Sequence, residues 1–188
     1  MVLIAAGTWW WANRVPMVRV PDRACGGALS GNAVAAIFPE KGGEYQERLW
    51  STFDPGGNDS LNIWCSMRAA DKSALASYTW ISPGVADGFE NGTPIKLGET
   101  KGYTRPFIAR LFVPCLSSGR ERYSWLMVTI ERFAKNPKDP VEVDDQRDPA
   151  PMAELVADAA RHVTQQLKCE TASTLPAGPP VIGADVAG

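Results

Sequence analysis

The chain has 188 residues, 45% of them hydrophobic, enough for one domain with a buried core or one domain with loose ends. Its formal net charge is −2 and its pI is about 5.5, which argues against the basic surface of a dedicated nucleic-acid binder. Its cysteines, Cys25, Cys65, Cys115 and Cys169, stand far apart with no C-x-x-C pair, which removes support for a zinc site or a thioredoxin-like redox motif.

Residues 1–14 open with a run that is apolar apart from Thr8 and holds Trp9, Trp10 and Trp11. The run is shorter than the ~20 residues that span a bilayer, and it lacks the basic start of a signal peptide. Tryptophan favours the membrane interface. The segment therefore reads as the end of a membrane anchor, complete or truncated, with a buried first strand or an apolar tail as the alternative. Residues 15–24 read as a linker with two prolines.

Cys25 introduces a short helix that Ser30 or Asn32 can cap. Val34, Ile37 and Phe38 fall at helical spacing, and Pro39 stops the helix. Tyr45 to Phe53 reads as a strand with two alternating sets: Tyr45, Glu47, Leu49, Ser51 and Phe53 against Gln46, Arg48, Trp50 and Thr52. A turn rich in Asp, Pro, Gly and Asn follows. Leu61 to Met67 and Leu75 to Ile81 complete a three-stranded meander, with Cys65 on the apolar face. Trp50, Trp64, Trp80 and Trp125 all fall in expected strands, where core or half-buried positions are expected. Ser82 to Thr104 carries five glycines and two prolines and reads as a loop.

Phe107 to Phe133 reads as a long β-hairpin in the middle of an antiparallel sheet. Apolar runs from Phe107 to Val113 and from Tyr123 to Ile130 flank the polar loop Ser117 to Glu121. Leu111, Val113 and Cys115 share one face of the first strand; Leu126, Val128 and Ile130 share one face of the second. An acidic, proline-rich linker runs from Ala134 to Pro151. Met152 to Lys168 then gives a helix whose stripe is Met152, Leu155, Val156, Ala159, Val163 and Leu167. Residues 170–188 are small, proline-rich and aperiodic and read as a disordered tail.

Four widely spaced cysteines suit two disulfides and an oxidising compartment; four buried thiols of an intracellular protein are the alternative. Pairing neighbours in order gives Cys25 with Cys65 and Cys115 with Cys169, each bond tying a helix end to the sheet. Crossed pairings remain open.

The cysteine-led segment Cys25-Gly26-Gly27-Ala28-Leu29-Ser30, its short helix, and Trp64-Cys65-Ser66 on a strand resemble uncharacterised actinobacterial cell-envelope proteins. The hairpin cysteine and the C-terminal helix ending in Cys169 resemble their membrane-anchored members. The resemblance covers residues 24–170 and implies an extracytoplasmic location, secreted or membrane-anchored. It implies no activity. The front departs from a lipidated pattern, since Asp22-Arg23-Ala24-Cys25 is not a lipobox.

Catalytic residues, a cofactor and a metal site are not indicated. His162 is the single histidine, and its place seven residues before Cys169, ~10 Å along a helix, makes it a helix-flank residue rather than a partner for that thiol. No nucleophile elbow, phosphate loop or dinucleotide fingerprint occurs. Asp54, Asn58 and Asp59 lack calcium-loop spacing. Asn58 and Asn91 begin glycosylation sequons, and Arg110, Arg120 and Arg122 gather at the hairpin. The expected architecture is α+β: an antiparallel sheet of about five strands, a short N-terminal helix, a longer C-terminal helix packed on one face, and two disulfides across residues 25–169. The expected role is a non-enzymatic extracytoplasmic binding or envelope-associated module, with the membrane as partner through residues 1–14 and no nucleic acid. The alternatives are a secreted hydrolase whose carboxylates the fold assembles, and an intracellular protein with reduced cysteines.

Overall fold

The computed structural model describes residues 15–51, 53, 62–82, 84, 92–116, 124–134, 148–170 and 174–183. It is an α+β fold. Strands β1 (Arg23–Ala24) and β2 (Leu29–Ser30) form a small antiparallel pair, followed by helix α1 (Gly31–Ile37). The main sheet contains β3 (Gln46–Trp50), β4 (Asn62–Ala69), β5 (Lys72–Ile81), β6 (Thr93–Leu97), β7 (Thr100–Arg105), β8 (Ile108–Pro114), β9 (Trp125–Ala134) and β10 (Val181–Ile182). Helix α2 spans Ala150–Gln166. The sheet order is β10-β6-β7-β8-β9-β5-β4-β3, with every neighbouring pair antiparallel.

The β8–β9 hairpin lies at the centre of this sheet, and β3–β4–β5 form the expected meander beside it. One sheet face carries Ile63, Cys65, Met67, Ala76, Tyr78, Leu111, Val113, Leu126, Val128 and Ile130, all buried in one core. Helix α2 closes that core with Met152, Leu155, Val156, Ala159 and Val163. The helix begins two residues before Met152 because Pro151 falls in its first turn, where a missing N–H costs nothing.

The turn between β1 and β2 holds three successive residues with positive φ: Cys25 at 55°, Gly26 at 66° and Gly27 at 89°. Glycine adopts this conformation without penalty, whereas a Cβ adds a cost of ~1–2 kcal/mol. Cys25 is held there by its disulfide and by its N–H, which donates to Glu47 Oε2 at 3.0 Å. Helix α1 then starts on Ser30, whose Oγ accepts from Ala33 N at 3.2 Å.

The sheet has eight strands rather than about five, and the three extra strands come from segments read as irregular. β6 and β7 lie inside the stretch Ser82 to Thr104 that reads as loop. Its inward positions are Ile95 and Leu97 on β6 but Thr100, Gly102 and Thr104 on β7, so polar and small residues erase the apolar alternation. Gly102 is a strand residue because its backbone crosses close to β8: a Cβ there would stand 1.9 Å from Arg110 O. The third strand, β10, belongs to the tail expected to be disordered. It pairs with β6, and Gly183 N donates to Pro94 O at 2.9 Å. Arg161 on α2 secures the preceding residues by donating to Pro176 O at 2.6 Å and to Gly178 O.

The expected linker 15–24 is also part of the domain. Val18 N donates to Glu40 O at 2.8 Å, Gly42 N donates to Pro16 O at 3.0 Å, and Val18 and Val20 pack on the core. Residues 1–14 and 135–147 lie outside the described residues. Among the described residues no helix is long and apolar enough to cross a membrane.

Candidate functional site

All four cysteines are bonded and buried, in the pairing obtained by taking neighbours in order. Cys25–Cys65 joins the β1–β2 turn to β4, with Cα atoms 5.6 Å apart. Cys115–Cys169 joins the end of β8 to the residue beyond the C-terminus of α2, with Cα atoms 4.7 Å apart. They fasten both ends of the helical layer to the sheet and present no thiol for chemistry.

His162 is engaged within its own helix. Its Nδ1 lies 2.9 Å from Asp158 O and 3.3 Å from Asp158 Oδ1. The other Asp158 oxygen accepts from Ser30 N at 2.6 Å, tying α2 to the start of α1. The Ser30 hydroxyl accepts from Ala33 N. The polar atoms of these three residues are therefore spent on structure: His162 on its own helix, the Ser30 hydroxyl on capping α1, and Asp158 on tying α2 to α1. Beneath them Tyr78 is fully buried, and its hydroxyl has no hydrogen-bond partner among the described residues. Burial, and then the charge of Asp158, push its pKa well above the ordinary tyrosine value.

A cavity of about 330 Å³ opens where the C-terminus of α1 meets the first turn of α2. Ile37, Phe38 and Met152 give it an apolar wall, and Lys72, Arg132 and Asp148 give it charge. Its volume is at the small end for ligand pockets. It brings one carboxylate, where acid–base hydrolysis uses a pair. Among the described residues no group of three His, Cys, Asp or Glu side chains could hold a metal ion. The sequon residues Asn58 and Asn91, the calcium candidates Asp54, Asn58 and Asp59, and Arg120 and Arg122 lie outside the described residues.

The sheet face opposite α2 has a different character. Register places Trp50 beside Trp64, then Ser77, Thr129, Arg110, Tyr103 and Pro94, in one row from β3 to β6. At the middle of the face Ile81, Tyr103 and Phe112 are buried with Trp125 and Met127 around them. Arg110 Nη1 donates to Tyr103 OH at 2.8 Å, and its guanidinium lies 5.8 Å from the centre of that ring. At the β3–β4 end the face is open. Trp50 is 40% exposed and Trp64 48% exposed, directly opposite each other. Arg48 lies over the Trp50 ring, 5.0 Å from its centre, and Gln46, Asn62 and Arg68 are exposed around the pair.

The strand residues of this face carry Arg48, Arg68, Lys96, Lys101, Arg105 and Arg110 against one acid, Glu131, in a chain of net charge −2. Positive charge is thus concentrated on the face that α2 does not cover.

The exposure of Trp50 and Trp64 corrects the expectation of core or half-buried tryptophans, which Trp80 and Trp125 meet. The signal was present in the alternation. Trp50 falls in the polar set with Gln46 and Arg48, and Trp64 falls between Ile63 and Cys65, both of which point inward. No protein-family model, curated protein or solved structure matches this chain.

Proposed function

We propose that this chain is an extracytoplasmic, disulfide-stapled binding module that meets its partner with the sheet face opposite α2. The observation that carries the reading is the open Trp50–Trp64 pair, two large aromatic side chains held in solvent on a sheet braced by a disulfide at Cys65. Exposed aromatics cost solvation and are enriched where binding energy is concentrated. The two disulfides are compatible with an extracellular or secreted location. The attachment to a membrane through residues 1–14 rests on their sequence alone. The cavity at α1 and α2 gives the hydrolase alternative little support, since it offers Asp148 alone among its lining residues as a carboxylate.

The test is intact mass after alkylation, with and without prior reduction, on protein isolated from its native host. Four cysteines that resist alkylation until reductant is added support the extracytoplasmic reading. Four thiols alkylated at the outset would overturn it and favour the intracellular alternative.

A further inference from the structure

We infer that the β3–β4 end of the open face binds an acidic polysaccharide, a chain of sugar rings that carry carboxylates. The inference rests on the extracytoplasmic reading above and adds the chemistry of the partner.

The argument begins with geometry. Trp50 and Trp64 are cross-strand partners on β3 and β4, so both side chains rise from the same face of two strands whose backbones lie ~4.8 Å apart. An indole face carries negative electrostatic potential. The C–H bonds on one side of a pyranose ring carry the complementary positive potential, and they are apolar enough to gain from leaving water. Two adjacent indoles give a stacking platform for successive sugar rings rather than a pocket for one. Gln46 and Asn62, exposed on the same face, supply amide donors and acceptors for hydroxyl groups.

Charge selects among sugars. Arg48 stands beside Trp50 on β3 and Arg68 lies four residues beyond Trp64 on β4, both on the same side of the tryptophan pair, and the guanidinium fork matches a carboxylate with two parallel N–H donors. Among the described strand residues of the face the acid is Glu131, three strands from Arg48 in the same row, about 14 Å away. A neutral glycan would leave both arginines unused, and a cationic one would be repelled.

Two other polyanions are less suited. Single-stranded nucleic acid also stacks on aromatics, but its binders track the backbone with a continuous basic groove, and this chain has a net charge of −2. An anionic bilayer is held by clusters of ~4–8 basic residues, and this end of the face has Arg48 and Arg68. The edge strand itself is guarded against strand addition. Glu47, exposed on the α2 side of the strand, interrupts its apolar side, and Ser51, with φ of 75°, ends its extended run.

The experiment is calorimetric titration of the oxidised full chain with a uronic-acid oligosaccharide, a neutral glucan of equal length, a single-stranded oligothymidylate and vesicles of anionic phospholipid. The expected result is binding to the uronate alone, weakened by salt. Trp50→Ala and Trp64→Ala each lower affinity roughly tenfold or more, and Arg48→Gln with Arg68→Gln removes most of the salt dependence. These side chains are exposed, so an unchanged melting temperature confirms that the variants are folded. No binding to the uronate, equal binding of the glucan, tighter binding of the oligothymidylate or vesicles, or indifference to the tryptophan substitutions overturns the inference. Alkylation-resistant cysteines alongside any of those outcomes would leave the extracytoplasmic reading standing, so the two failures are distinguishable.

Discussion

Tyr78 shows how a single residue can carry an unfavourable group inside a well-packed core. Its ring is useful there: Phe53 meets it edge-to-face, with centroids 5.1 Å apart. Its hydroxyl is fully buried, has no partner among the described residues and stands near the charge of Asp158. A buried donor without a partner forfeits the hydrogen bonds that water would give it. Tyr78→Phe keeps the ring and removes that group, so it is expected to leave stability at neutral pH unchanged or raise it by roughly 1 kcal/mol. The alkaline limb should change too. Burial holds the Tyr78 pKa well above its ordinary value, and Tyr45, partly buried and donating to Glu47, is raised likewise. For a raised folded-state pKa, the stabilisation is complete below the unfolded value of about 10 and is lost as pH rises beyond it. Urea unfolding between neutral pH and pH 11 should show a shallower decline for Tyr78→Phe than for the natural chain. A substantial loss of stability at neutral pH would mean instead that the hydroxyl is bonded.

At the scale of the element, β7 carries the clearest backbone constraint. Gly102 sits opposite Leu111, and a Cβ there would approach Arg110 O to 1.9 Å and its carbonyl carbon to 2.8 Å. Neither atom can move without shifting β8, so Gly102→Ala should destabilise by about 3 kcal/mol or more. Gly178 has open space around the same hypothetical atom and a negative φ, so Gly178→Ala should change stability by less than about 0.5 kcal/mol. Thermal melts of the two variants side by side make the comparison, and similar melting temperatures would refute the close-approach explanation. The same glycine explains why part of the sheet was hidden in the sequence. The central hairpin and the meander alternate apolar and polar residues cleanly, so their five strands are legible. β7 turns Thr100, Gly102 and Thr104 toward the core, and β10 is two residues long, so neither leaves a period to read. What orders β10 comes from elsewhere in the chain: its pairing with β6, and Arg161 reaching the carbonyls of Pro176 and Gly178 just before it. The candidate site was half legible for a related reason. Alternation assigns Trp50 to the polar face, but hydrophobicity alone argues for burial, and only the register with Trp64 shows two indoles side by side.

Across the whole molecule the two disulfides act on one weakness, the attachment of the helical layer to the sheet. Cys25–Cys65 spans 40 residues and fixes the β1–β2 turn that leads into α1. Cys115–Cys169 spans 54 residues and fixes the far end of α2. Between them α2 is tethered to the start of α1 by the Asp158–Ser30 hydrogen bond. Chain entropy assigns about 4 kcal/mol to each cross-link, against a total of about 5–15 kcal/mol for a typical domain. Loss of one bond should therefore leave a folded but weakened protein, and loss of both should remove most of the stability. The two single losses should differ in kind. Cys115→Ser with Cys169→Ser frees the C-terminal end of α2, whose residues Val163 and Leu167 still hold it by burial. Cys25→Ser with Cys65→Ser also releases Cys25 from its positive φ, and with it the constraint on the turn and the Glu47 contact that it donates to. Hydrogen exchange should then show early opening confined to α2 and β10 in the first variant, and to β1, β2, α1 and β3 in the second. Uniform loss of protection in both variants would mean that sheet and helices unfold as one unit, and that the cross-links act on the unfolded chain alone.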